Sequence, residues 1–83
     1  MRYSVACTPA ADGQLAAIWI TASNRDAVTA AALEIENALA DGPLTVGESR
    51  EGNLRILFVE PLGVRYIAEP EDLRVVIVQF WTV

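Results

Sequence analysis

Residues 53–83 constrain this chain more than any other stretch. Three runs rich in β-branched, aliphatic and aromatic residues are separated by two short turn signals. The signals are Pro61-Leu62-Gly63 and Glu69-Pro70-Glu71-Asp72. That pattern predicts an antiparallel three-stranded meander. In the first run Leu54, Ile56 and Phe58 alternate with Arg55, Leu57 and Val59. In the last, Val75, Ile77, Gln79 and Trp81 alternate with Val76, Val78 and Phe80. Both faces are therefore largely apolar. Helices from the first half of the chain can cover one face only, so the other should be open unless strong twist curls the sheet enough to bury both faces of its central strands. An apolar patch of several hundred Å2 on a small protein marks an interface.

The chain before the meander supplies that cover. Tyr3–Thr8 reads as a strand, with Tyr3, Val5 and Cys7 alternating against Ser4 and Ala6. Thr8-Pro9 is a helix start, an N-cap hydroxyl followed by Pro at the first helical position. The helix should run to about Thr21, with Leu15, Ile18, Trp19 and Ala22 on one face. Ser23 and Asp26 resemble a capping box opening a second helix, Asn24–Ala40. Val28, Ala31, Ala32, Ile35 and Leu39 form its apolar stripe, and Asp41-Gly42-Pro43 stops it, with Gly42 as a left-handed cap. The short link predicts an antiparallel helical hairpin. Leu44–Gly52 reads as a loop with at most a short extended piece around 47–50. The expected class is α+β in one domain, residues 1–83, with both helices on one face of the sheet.

Composition removes function classes. Six Arg stand against eleven carboxylates, for a net charge of −5, and Lys and His are absent. An acidic chain is a poor nonspecific binder of nucleic acid. Without His the usual proton shuttle near neutral pH is missing. Cys7 is the single cysteine, so neither an internal disulfide nor a thiolate metal site can form. No glycine spacing matches a phosphate-cradling loop, so no metal and no cofactor is expected. No run reaches the roughly 18–20 apolar residues that cross a bilayer. The N-terminus lacks the apolar core of a signal peptide, and a cytoplasmic location is expected.

Several stretches carry a family resemblance. They are Thr8-Pro9-Ala10-Ala11 with Leu15, Ile18 and Trp19, and then Gly47-Glu48-Ser49-Arg50 leading into Leu54–Phe58. Gly63-Val64-Arg65-Tyr66 and Val75–Val78 follow. In this order the chain resembles the RelE/ParE superfamily of bacterial toxins from type II toxin–antitoxin modules. The resemblance implies a toxin neutralised by a cognate antitoxin that wraps it. RelE-like members cut messenger RNA on the ribosome, and ParE-like members block DNA gyrase. By resemblance Arg65 matches the strand arginine that contacts the scissile phosphate in the nucleases. Arg55 lies on a strand that is often basic in them. A guanidinium at either position could stabilise phosphate charge, and Arg50 could contribute on the same grounds.

The nucleases also carry a basic, Tyr- or His-containing tail, whereas Gln79–Val83 holds no acid, base or cation. A known-style endoribonuclease site thus reads as incomplete. The leading expectation is a toxin that binds a macromolecular target, ribosome or gyrase. The alternatives are a ribosome-dependent endoribonuclease using Arg55 and Arg65, and a non-toxic interaction module. The candidate partner- or target-binding residues are Arg50, Arg55, Arg65, Tyr66, Phe80 and Trp81. Self-association through the open face is a further expectation. Arg55, Arg65 and Arg74 could instead pair with Glu60, Glu69 or Glu71 across strands. Glu69, Glu71 and Asp72 are expected to be solvated turn charges.

Overall fold

The computed structural model describes residues 2–83. Its elements run β1 (Ser4–Cys7), α1 (Pro9–Thr21), α2 (Arg25–Asp41), β2 (Glu48–Glu51), β3 (Leu54–Val59), β4 (Leu62–Glu69) and β5 (Arg74–Thr82). A short 3-10 turn, Pro70–Asp72, links β4 to β5. The strands form one sheet in the order β1-β5-β4-β3-β2. β1 runs parallel to β5, and every other pairing is antiparallel. The predicted meander is thus the centre of a five-stranded mixed sheet with one added strand on each edge.

Local chemistry sets the helix ends. The Thr8 hydroxyl accepts from Ala11 N at 3.1 Å, so the Thr-Pro start acts as expected. The second helix is capped by Asn24 rather than Ser23, with Asn24 Oδ1 accepting from Ala27 N at 3.1 Å. Gly42 has φ −169°, extended backbone rather than the left-handed cap expected. Arg25 closes the first helix. Its guanidinium donates to the carbonyls of Trp19 and Ile20, at 3.1 and 2.8 Å, and lies over the Trp19 ring. A cation on the last carbonyls offsets the negative end of the helix dipole.

The segment after α2 is irregular through Gly47, and the short extended piece expected around 47–50 is an edge strand, Glu48–Glu51. Glu48–Glu51 pairs with β3, and Gly52-Asn53 makes the turn between them. Gly52 has φ +57°, which a tight hairpin turn favours. Polar composition hid this strand, because an exposed edge strand has no apolar face to show. The next turn is also displaced. Glu60-Pro61 makes it, and Leu62 and Gly63 already belong to β4.

Both helices pack on the same face of the sheet. Ala11, Val28, Ala31, Ile35 and Leu39 meet Leu62, Val64, Tyr66, Ala68, Val75, Ile77 and Phe80 in one buried cluster. An irregularity in the β4–β5 pairing decides which β5 residues join it. Arg65 pairs with Gln79 but Tyr66 pairs with Ile77, leaving Val78 as an extra residue. Such a bulge reverses side-chain alternation. Val75, Ile77 and Phe80 therefore share the helix side, while Val76, Gln79 and Trp81 share the other. Strict alternation had put Phe80 opposite Val75 and Ile77.

Candidate functional site

The face turned away from the helices is built in rows set by strand register. Gly63 lies between Phe58 and Trp81, Arg65 between Ile56 and Gln79, and Ile67 between Leu54 and Val76. Glu69 pairs with Arg74 at the end of the sheet. Phe58 is 52% exposed, and the remaining apolar side chains of these rows, Ile56 apart, are half-buried. Phe58 and Trp81 meet edge-to-face with ring centroids 5.9 Å apart. They can do so because Gly63 has no side chain: a Cβ there would come within 2.5 Å of the Trp81 ring.

Arg65 is the charge at the centre of this face, where Glu48 lies in its row beyond Ile56 and is paired with Arg50. Arg65 Nη1 donates to Gln79 Oε1 at 2.7 Å. Its Nε is buried and has no acceptor, alone in that condition among the described side chains. A buried unpaired donor costs about 1–3 kcal/mol, more when charged.

Arg55 sits next to it in register but faces the other way. It is paired with Tyr66, on the helix side. There its Nε donates to the Tyr66 hydroxyl at 3.3 Å, and its Nη2 to the carbonyls of Val46 and Gly47 at 3.1 and 3.4 Å. The Tyr66 hydroxyl lies 2.7 Å from the Pro43 carbonyl and 3.0 Å from that of Val46, and donates to this pair. Burial raises the Tyr66 pKa, and Arg55 opposes that rise. Gly47 completes the clasp. With φ +68°, a Cβ there would stand 2.5 Å from the Ile56 carbonyl oxygen. This group fastens the segment after α2 to the sheet.

The sequence-derived candidates therefore separate. Arg65 and Trp81 lie on the open face. Arg55 lies on the opposite side, so the two strand arginines do not converge on one phosphate. Tyr66 and Phe80 are core residues, 0% and 5% exposed, and neither presents a surface to a partner. The Phe80 N–H donates to Gln14 Oε1 of α1 at 2.9 Å, tying β5 to that helix. Arg50 pairs with Glu48 at 3.0 Å on the exposed edge strand. Arg74 pairs with Glu69, the cross-strand pairing expected of it. Sequence reasoning missed Phe58, Gln79 and Gly63. Gly63 looked like a turn residue, and the bulge hid Gln79 as the neighbour of Arg65. Among the described residues no three His, Cys, Asp or Glu side chains are grouped as a metal ion would need. No described helix is long and apolar enough to cross a membrane.

The architecture matches solved structures. A chain of the toxin–antitoxin complex RelBE2 from Mycobacterium tuberculosis superposes with a TM-score of 0.82 over 100% of this chain and 93% of that one, at 19% identity. The fold is RelE/ParE-like. A chain of the chromosomal ParDE TA system from P. aeruginosa gives 0.73 over 99% and 97%, at 17% identity. No protein-family model matches the chain, and neither does any curated protein. The RelE/ParE-like fold thus persists here where sequence similarity is slight. Core packing needs only residues of suitable size and pattern.

Proposed function

We propose that this chain is the toxin component of a type II toxin–antitoxin module. A cognate antitoxin would neutralise it, and its toxicity would come from binding a macromolecular target, ribosome or DNA gyrase. The observation that carries the reading is a RelE/ParE-like fold whose sheet keeps one apolar face uncovered, with Arg65 at its centre. Target binding is favoured over RNA cleavage because Arg55 is turned into the clasp beneath the sheet. A lone Arg65 can orient a phosphate, yet its cross-strand neighbours Ile56 and Gln79 cannot move a proton.

Induced expression in bacteria tests this. Growth arrest relieved by co-expression of the open reading frame beside the gene is the expected result. DNA damage signalling during arrest would indicate gyrase. Codon-specific message cuts would replace target binding with nuclease action. Unaffected growth would leave only a non-toxic interaction module. Arg65→Ala should abolish arrest while the chain stays folded.

A further inference from the structure

Five of the six arginines have an anionic or carbonyl acceptor. Arg2 pairs with Asp41, Arg50 with Glu48 and Arg74 with Glu69. Arg25 caps the carbonyls of α1, and Arg55 those of Val46 and Gly47. Arg65 has only the neutral amide of Gln79, and one of its donors is buried without an acceptor. It does so among Ile56, Ile67, Phe58 and Trp81, where a bare cation is costly.

We infer that the Arg65–Gln79 row, with the Phe58–Trp81 pair beside it, is a docking site for a partner peptide presenting a carboxylate next to an apolar side chain. The carboxylate would pair with Nη2 of the guanidinium, since Nη1 is held by Gln79 and Nε is enclosed, and the apolar side chain would cover the aromatic pair over Gly63. The two rows are one two-residue step apart along β4, about 6.6 Å. That matches residues i and i+2 of an extended segment. A single carboxylate suits the site better than a nucleic acid, because a chain of net charge −5 repels a polyanion while one buried pair neutralises one charge. This deepens the interface reading of the same face, and its test needs no toxicity.

The full chain is panned against a phage-displayed random dodecapeptide library, beside a pool of single-stranded RNA dodecamers. The expected winners carry Asp or Glu two positions from an aromatic or large aliphatic residue. Synthetic copies should lose at least about tenfold in affinity when the acid becomes its amide, or against Arg65→Met. They should bind Arg2→Gln normally, and Arg65→Lys should fall between, having charge without the planar fork. Adding a winning peptide should shift the Arg65 Nε–H resonance of the wild-type chain. Arg65→Met removes the orphaned donor, so it should fold with an unchanged or higher Tm. Winners without acidic enrichment, equal binding to Arg65→Met, or selective retention of RNA that displaces the peptides would each overturn the inference.

Discussion

Along β4, Leu62, Val64, Tyr66 and Ala68 are all 0% exposed on the helix side, while Arg65, Ile67 and Glu69 on the other side are only partly covered. The same strand therefore carries a finished core and an unfinished surface. The arginines repeat the contrast. Arg55 has three acceptors within 3.4 Å, and Arg65 has one. On the closed side polar groups are satisfied within the chain and hold it together. On the open side one buried donor, Arg65 Nε, has no acceptor within the chain. Under the proposed reading, stability and recognition fall to opposite faces of one sheet.

The contrast can be broken from either side. The largest effect should come from the closed face. Tyr66→Ala removes a fully buried ring and both of its carbonyl contacts, and should cost about 3–5 kcal/mol by urea unfolding. An 83-residue chain has roughly 4–12 kcal/mol in total, so the loss is at least about a quarter of its stability. A small effect would mean that the clasp is not structural. Gly63→Val should follow, at about 1–3 kcal/mol, because the new side chain must displace Trp81. Trp fluorescence should change with it. Tyr66→Phe, which keeps the ring and loses the hydroxyl, should cost about 1–2 kcal/mol.

Raised pH tests the closed face without mutation. Burial is the main cause that pushes Cys7 from its ordinary 9.0 to about 11, with Asp12 and Glu36 adding to it. Burial likewise holds Tyr66 above its ordinary 10.0. Both groups keep their protons longer in the folded chain than in the unfolded one. Their contribution is complete below the unfolded values and is lost as pH rises through the folded ones. The urea midpoint should therefore hold to about pH 9 and decline toward pH 11, and Cys7→Ala should soften that decline. The thiol should alkylate slowly at neutral pH, since the thiolate is the nucleophile.

The smallest stability effects belong to the open face. Phe58→Ser should shift stability by less than about 1 kcal/mol while reducing self-association or hydrophobic-dye binding by the isolated chain. Glu69→Gln should leave the midpoint unchanged, because its pair with Arg74 is solvent-exposed. A large loss from either would show that this face is also part of the core.

Period and punctuation were enough to define both helices and every strand but β2 from residues alone. Thr8-Pro9 opened a helix, Val28 through Leu39 marked its partner's buried stripe, and the alternation in Leu54–Val59 assigned β3 its two faces. The open apolar face also followed from the sequence, because one pair of helices cannot cover both sides of a sheet. Other features depended on pairing between distant residues. Glu48–Glu51 becomes a strand only because β3 offers it an edge. Val78 becomes a bulge only when β5 is held against β4, and that single extra residue moves Phe80 into the core and leaves Gln79 beside Arg65. Arg55 and Arg65 look equivalent as strand arginines. Their opposite roles arise from register, which decides which face each side chain enters and therefore which acceptors it can reach.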